Sequence, residues 1–184
     1  MSERLRYPEE HWSRLEDPAI ALDQYLDMYS DAYNSTKAVL YMRLIGDVKG
    51  LRVLDYGGGA GFMSVSLAKL GAQVTLVDAE SGGLATASYY AEREGVSDLL
   101  QTQQSLVVPE ELQDGRFDLV VAKDVVEHVE EDDAFIADLA RCLRPGGKLL
   151  IGTQNSLSLN YAIESTMTTT GGMADHRKAV KAGA

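Results

Sequence analysis

The stretch that decides the fold is Val53-Leu54-Asp55-Tyr56-Gly57-Gly58-Gly59-Ala60-Gly61. An apolar pair leads into an acid and then into glycines at alternate positions, Asp-x-Gly-x-Gly-x-Gly. This pattern predicts a buried strand that turns sharply into a helix starting near Phe62. Glycines permit positive φ angles and let a ligand approach the main chain closely. An ordinary Gly-rich turn has the same local pattern. The rest of the chain has to decide whether this segment binds a ligand or is only a turn.

Strands and helices alternate after this turn. Apolar runs predict strands over 51–55, 73–78, 99–104, 117–122 and 148–153, with helical patterns between them. Strands that alternate with helices of about ten residues favour a parallel sheet with right-handed crossovers and helices on both faces. The predicted fold class is therefore α/β, with a Rossmann-like parallel sheet.

The N-terminal quarter of the chain has a helical pattern of its own. Asp17-Pro18 predicts a helix start, because Asp is a good N-cap and Pro suits the first helical position. A second helix is expected to end at Gly46. Tyrosines of these helices either pack on the core or line a lid over a ligand site. We expect four parts, a polar arm at 1–16, a helical cap at 17–48, a Rossmann-like core at 49–155 and a tail at 156–184.

Composition limits the partners. The 184 residues carry a formal net charge of −11, which disfavours binding to nucleic acid. The single cysteine, Cys142, excludes an internal disulfide, and its apolar helical context indicates a buried side chain. No segment has the pattern of a signal peptide or a membrane span. We therefore expect a soluble, cytoplasmic protein.

Polar residues are predicted to meet at the carboxyl ends of the strands, where sheets of this type bind ligands. The amides of the glycine turn and the following helix N-terminus suit a carboxylate or phosphate. Asp78 follows Gly57 by 21 residues and can accept hydrogen bonds from ribose hydroxyls. Gln104 and Ser105 follow the third strand and can bond an adenine edge, although a solvated loop has the same composition.

The spacing of the glycines distinguishes between cofactor classes. A dinucleotide fingerprint, Gly-x-Gly-x-x-Gly, fails here because Phe62 or Ser64 falls where its third glycine should be. Asp55 also precedes the turn, where it suits an ammonium group and would repel a pyrophosphate. An ammonium, a carboxylate and a ribose together describe S-adenosylmethionine. A nicotinamide-dependent oxidoreductase is the weaker alternative.

With these motifs in place, the chain resembles the class I S-adenosylmethionine-dependent methyltransferases. Within them it is similar to the small-molecule branch (methyltransferase type 11/12) that includes the ubiquinone-biosynthesis O-methyltransferases. The resemblance rests on motifs in the family's order over about 100 residues, namely Val53–Gly61, Val74–Asp78, Phe117–Val121, Lys123–Val129 and Leu143–Gly147. It implies methyl transfer to a small-molecule acceptor, with O-methylation as one form.

The resemblance also implies which residues hold the cofactor. Asp55 and the glycines would bind its methionine end, Lys37 would reach the methionine carboxylate, and Asp78 would take the ribose. Relatives often have an acid near the adenine where this chain has Gln104 and Ser105, which weakens that contact. The expected cofactor-binding positions are Lys37, Asp55, Gly57, Gly59, Gly61, Asp78, Ala79, Gln104, Ser105 and Lys123.

His128 is the expected catalytic residue. Glu127-His128 matches a Glu-His-Val motif that relatives place beside the acceptor, and a histidine suits removal of a phenolic proton. In ubiquinone-type relatives the corresponding groups can instead bind a divalent cation, and here these would be Asp124, Glu127 and His128. A third interpretation is that Glu127 and His128 simply begin an acidic helix. We expect no metal.

The C-terminal segment departs from the family pattern. The family sheet has seven strands, and residues 154–184 show no strand alternation, so strands six and seven are expected to be missing. Strand five would then have an unpaired edge. We expect residues 156–166 to fold back as a helix and the chain to form a homodimer. A non-catalytic protein that binds S-adenosylmethionine is the second functional alternative.

Overall fold

Five parallel strands form one sheet in the computed structural model, which describes residues 16–30 and 32–153. The strands are Arg52–Tyr56 (β1), Gln73–Asp78 (β2), Leu100–Gln104 (β3), Phe117–Lys123 (β4) and Leu143–Gly152 (β5). The helices are Pro18–Tyr29 (α1), Ala32–Ile45 (α2), Phe62–Lys69 (α3), Ser81–Arg93 (α4) and Asp132–Cys142 (α5). The strand order β3-β2-β1-β4-β5 reverses between β1 and β4, the position at which open α/β sheets bind ligands.

Both faces of the sheet are covered. Successive side chains of a strand point to opposite faces, and Val53 and Leu54 accordingly belong to different core clusters. Val53 packs in a cluster with Leu67 of α3, whereas Leu54 packs in a cluster with Leu139 of α5. All four side chains are fully buried. The predicted α/β class, with a parallel sheet between layers of helices, is confirmed.

The N-terminal helices pack against this core. The carboxylate of Asp17 accepts a hydrogen bond from the amide of Ala19 at 2.8 Å, and Pro18 is the first helical residue, as predicted. Tyr25 of α1 is buried beside α4, in a cluster that contains Tyr90. Helix α2 ends at Ile45 and is followed by Gly46 at φ +80°.

The start of β5 differs from the prediction. The strand was expected over 148–153 because Pro145 and two glycines interrupt the apolar pattern, but it begins at Leu143. Leu143 pairs with Phe117, and the next paired residues are Lys148 and Leu119. The turn-like segment is therefore an irregularity inside the strand, where three extra residues are accommodated between two pairs.

Several predictions fall outside the described residues. These are the arm, apart from Glu16, the missing sixth and seventh strands, and the helix at 156–166. Within the described part, β5 pairs on one side only, with β4, and the homodimer stays a prediction. None of the helices that are described combines the length and apolar character needed to cross a bilayer.

Candidate functional site

The glycine turn joins β1 to α3 at the carboxyl end of the sheet. Gly57, Gly59 and Gly61 have φ angles of +73°, +54° and +82°, a region that favours glycine. A Cβ on Gly58 would lie 2.3 Å from the side chain of Leu76. The backbone conformation and the lack of space both require glycine here, and the main chain is left open to a ligand at this point.

Asp78 is bound to the glycine turn. It ends β2, and its Oδ2 accepts a hydrogen bond from the amide of Gly59 at 2.8 Å. Its Oδ1 accepts one from the amide of Glu80 at 2.9 Å. These two bonds fix the carboxylate beside the turn, with further acceptor capacity on each oxygen.

The residues expected near an adenine meet at the ends of β2 and β3. Gln104 donates from Nε2 to the carbonyl of Ala79 at 2.9 Å, and the amide of Ser105 donates to the carbonyl of Asp78 at 2.9 Å. The Ser105 hydroxyl donates to the carbonyl of Val107. The predicted group is therefore brought together, although Gln104 and the Ser105 hydroxyl bond to backbone within it.

A cleft lies between the glycine turn and the cap helices. The end of β4 and residues of α1 and α2 close its sides. Its lining residues are Tyr25, Lys37, Ala38, Tyr41, Asp55, Gly57, Gly58, Gly59, Phe62, Met63, Lys123 and Asp124. Lys37, Asp55, Gly57, Gly59 and Lys123 were expected from the sequence. Gly61 is not among them, and a Cβ on Gly61 would instead lie 2.7 Å from Ala87 of α4.

Asp55 is a buried acid at the base of this cleft. Its side chain is 2% exposed, and Oδ2 accepts a hydrogen bond from the Ser64 hydroxyl at 2.6 Å. Burial raises the pKa of Asp55 to about 6, and the Ser64 bond and the charge of Lys123 oppose the rise. A cation placed beside Asp55 would stabilise its ionised form, which makes the carboxylate a fitting partner for an ammonium group.

Asp124 carries two ion pairs inside the cleft. Its Oδ2 lies 2.5 Å from Nζ of Lys123 and 3.5 Å from Nζ of Lys37. Its Oδ1 is buried and has no hydrogen-bond partner among the described residues. An unpaired buried acceptor costs about 1–3 kcal/mol. The sequence placed Asp124 beside Lys123 after the fourth strand and named it in the metal alternative. Its pairing with Lys37, which is 87 residues away, was not expected.

His128 lies outside the cleft. It ends a short 3₁₀ turn at Val126–His128, and the side chains of Glu127 and His128 are both exposed. The role of His128 beside an acceptor therefore stays a prediction. In the described part of the chain, no three His, Cys, Asp or Glu side chains are grouped so that they could hold a metal. The alternative in which Asp124, Glu127 and His128 bind a divalent cation, and our expectation of no metal, both stay predictions.

The cap residues of the cleft were only partly foreseen. Tyr25 is 4% exposed, and its hydroxyl accepts a hydrogen bond from the amide of Phe62 at 3.3 Å. Tyr25 therefore both packs in the core and lines the cleft, and a lid formed by the cap tyrosines stays a prediction. Phe62 and Met63 were missed, and their position immediately after the glycine turn could have indicated them.

Comparison with known proteins places this geometry in a family. The profile of the methyltransferase domain family matches residues 54–151, a little over half of the chain. This chain belongs to the methyltransferase domain family. The match covers the glycine turn, Asp78 and the end of β4, and it supports assignment to the class I S-adenosylmethionine-dependent methyltransferases.

Curated relatives of this chain point to the small-molecule branch. Ubiquinone biosynthesis O-methyltransferase of Maricaulis maris (strain MCS10) is 37% identical over 118 residues, which is 62% of this chain and 45% of the relative. The chain thus spans about half the length of the curated relatives it matches. The expectation of this branch is confirmed.

Solved structures agree on the fold. An S-adenosylmethionine-dependent methyltransferase from Geobacter sulfurreducens, in complex with S-adenosyl-L-homocysteine, is 26% identical with a TM-score of 0.53, over 63% of this chain and 47% of that one. The [4+2]-cyclase SpnF is 24% identical with a TM-score of 0.60, over 66% of this chain and 46% of that one. The second likeness concerns the fold alone.

Proposed function

We propose that this chain transfers a methyl group from S-adenosylmethionine to an oxygen atom of a small-molecule acceptor. The observation that carries the proposal is the 2.8 Å hydrogen bond between Gly59 and Asp78. It joins the glycine turn to the acid at the end of β2, beside the reversal of strand order. Such a turn receives the charged end of a ligand, and such an acid receives ribose hydroxyls. The names of the curated relatives support oxygen as the methylated atom.

The methionine end of the cofactor is proposed to lie in the cleft. Asp55 would face its ammonium group and Lys37 its carboxylate, since both residues line the cleft. The main chain at Gly57 and Gly59 would lie against the methionine moiety, while the two amides keep their bonds to Val77 and Asp78. Lys123 would border the cofactor from the end of β4, mainly through its backbone. Opposite charges then meet the ammonium and the carboxylate of the methionine moiety, which favours binding in a partly buried site.

The nucleoside end is proposed to extend along the ends of β2 and β3. Asp78 would take the ribose hydroxyls, and Ala79, Gln104 and Ser105 would border the adenine. Because Gln104 already donates to Ala79, adenine binding would have to exchange or share that bond. We infer a weaker contact to the adenine than an acid would make.

The main task of the protein in the chemical step is to align the acceptor with the methyl group of the cofactor. The acceptor oxygen attacks the methyl carbon, the carbon–sulfur bond breaks, and its electron pair stays on sulfur, which becomes a neutral thioether. Holding the oxygen, methyl carbon and sulfur in line converts a bimolecular step into a unimolecular one. The acceptor proton must also leave, and His128 is our proposed general base. The exposed position of His128 requires that the acceptor extend toward the 3₁₀ turn.

A non-catalytic cofactor-binding protein is the second candidate function. The likeness to a [4+2]-cyclase shows that this fold also occurs in a protein named for another reaction, and fold alone does not fix function. The two candidates agree on cofactor binding and differ on methyl transfer.

Two measurements test the proposal. Calorimetry should show micromolar binding of S-adenosylhomocysteine, at least tenfold weaker in Asp78→Asn, because one oxygen that accepts from the ribose is lost. Asp98→Asn, the same change at an exposed acid, is the matched control and should bind as the unaltered chain does. Transfer of radiolabel from methyl-labelled cofactor to a panel of phenols then separates the candidates. Binding without transfer would favour the non-catalytic protein, and absence of binding would contradict both.

A further inference from the structure

The carboxylate of Asp55 is held by a hydroxyl group of the helix that follows the glycine turn. The Oγ atom of Ser64, in α3, donates a hydrogen bond to Oδ2 of Asp55 at 2.6 Å, and both side chains are buried. The main chain of Gly58 also lies close, since a Cβ there would be 2.7 Å from the same oxygen. Ser64 and Gly58 together enclose Oδ2 and thereby set the orientation of the carboxylate.

The hydrogen bond of Ser64 differs from those of neighbouring helical hydroxyl groups. The hydroxyls of Ser66, Thr86 and Ser88 each donate to the main-chain carbonyl four residues earlier in their own helix. Ser64 instead donates to an acid of β1, nine residues earlier. Hydrogen bonds to an ionised acceptor are stronger than bonds between neutral groups. The Ser64 hydroxyl is therefore turned toward the partner whose charged form it stabilises.

Ser64 also opposes the effect of burial on Asp55. Burial raises the pKa of Asp55 to about 6, and the Ser64 hydroxyl lowers this pKa more than the charge of Lys123 does. The amide of Ser64 lowers it further, whereas the charge of Asp78 at the end of β2 raises it. The other charged or titratable side chains that line the cleft are Tyr25 of α1, Lys37 and Tyr41 of α2, and Asp124 after β4.

We propose that Ser64 is a positioning residue for the cofactor: its hydroxyl holds Oδ2 of Asp55 and keeps the carboxylate ionised, so that Oδ1 receives the ammonium group of S-adenosylmethionine. This inference rests on the proposed function, in which Asp55 faces that ammonium group. Ser64 is fully buried and is not among the residues that line the cleft. It therefore acts on the cofactor through Asp55.

This role predicts how cofactor affinity depends on pH. A protonated Asp55 has no charge with which to attract an ammonium group, so affinity should fall as the pH drops through the pKa of about 6. Removal of the Ser64 hydroxyl takes away a contact that stabilises the ionised form, which should raise this pKa by about one unit. Cofactor binding should then require a pH above about 7 instead of about 6.

Calorimetry of S-adenosylhomocysteine binding to the 184-residue chain, over a pH series from about 5.5 to 8, tests this prediction. Ser64→Ala should bind about 5- to 10-fold more weakly than the unaltered chain at the lowest pH and within about twofold at the highest. Ser66→Ala removes a hydroxyl from the same helix that does not contact Asp55, and it should follow the profile of the unaltered chain. Asp55→Asn should bind weakly with little dependence on pH, because the titrating group is gone.

A second measurement follows Asp55 directly in the ligand-free protein. In ¹³C NMR of chain labelled at the aspartate carboxyl carbons, the Asp55 signal is the one that disappears in Asp55→Asn. Its midpoint should lie about one pH unit higher in Ser64→Ala than in the unaltered chain. Ser64→Cys, with a thiol that is a weak donor, should shift the midpoint in the same direction by less. This variant carries the test if alanine at the buried position prevents folding.

The two measurements also define what would overturn the inference. An unchanged pH profile or an unchanged Asp55 midpoint in Ser64→Ala would contradict it. A loss of affinity that is equal at every pH would make Ser64 a structural residue of α3 only. Absence of S-adenosylhomocysteine binding by the unaltered chain at any pH would contradict cofactor binding and, with it, the role of Ser64. The expected pH profile without methyl transfer would count against the proposed function alone.

Discussion

Asp55→Asn is expected to stabilise the ligand-free protein while weakening its binding of cofactor. Asp55 is 2% exposed, and burial raises its pKa from the ordinary value of 3.8 to about 6. A shift of about two pKa units corresponds to about 3 kcal/mol, by which folding disfavours the ionised carboxylate. Asparagine keeps the size and an oxygen that accepts from Ser64, but carries no charge.

The direction in which stability changes with pH follows from proton binding at Asp55. A raised pKa means that the folded state holds the proton more tightly than the unfolded state does. The stabilisation that results is complete below about pH 4 and is lost as the pH rises through about 6. The variant does not titrate at this position, so its free energy of unfolding relative to that of the unaltered chain should rise by about 2–3 kcal/mol between pH 4 and pH 7.5.

Urea unfolding of the ligand-free protein, followed by circular dichroism at about pH 4 and pH 7.5, measures this difference. Asp98→Asn serves as the control, and its difference from the unaltered chain should stay constant between the two pH values. At pH 7.5 calorimetry should show that Asp55→Asn binds S-adenosylhomocysteine at least tenfold more weakly, because the ammonium loses its partner. A pH-independent difference in unfolding free energy would refute the reasoning about burial, and unchanged cofactor affinity would refute the role of Asp55.

Three further predictions concern the turn, the cap and the core. Gly58→Ala should abolish detectable S-adenosylhomocysteine binding in calorimetry, because its Cβ would lie 2.7 Å from Oδ2 of Asp55; unchanged affinity would contradict the crowding. Tyr25→Phe should lower the free energy of unfolding by about 0.5–1.5 kcal/mol in urea titrations, since the amide of Phe62 loses its acceptor; no change would show that the 3.3 Å contact contributes nothing. Cys142 is fully buried and its pKa is raised to about 11, so a thiol-reactive dye should label it only in denaturant; rapid labelling of the native protein would contradict its burial.

Most of the fold was predictable because the sequence patterns are local. The bounds of β2, Gln73–Asp78, match the prediction. An apolar run between a glycine and an acid leaves little choice of where the strand begins and ends. The Asp17-Pro18 start of α1 was predictable for the same reason. The start of β5 at Leu143 was not, because pairing with Phe117 across a three-residue irregularity depends on the neighbouring strand.

The candidate site was likewise predictable only in part. The approach of Asp78 to the glycine turn follows from sheet topology, because carboxyl ends of parallel strands meet at one edge. The ion pair between Lys37 and Asp124 joins residues 87 positions apart and depends on how α2 packs, which sequence spacing cannot indicate. The positive φ of Asp124 has no sequence pattern either, since aspartate adopts it only in particular surroundings.

The most direct measurement of the central claim is the product of a reaction between methyl-deuterated S-adenosylmethionine and the panel of phenols. Mass spectrometry should find one deuterated methyl group on the acceptor and an equal amount of S-adenosylhomocysteine, with both products greatly reduced in Asp78→Asn and unchanged in Asp98→Asn. S-Adenosylhomocysteine formed without methylated acceptor, or equal product from both variants, would contradict methyl transfer at this site.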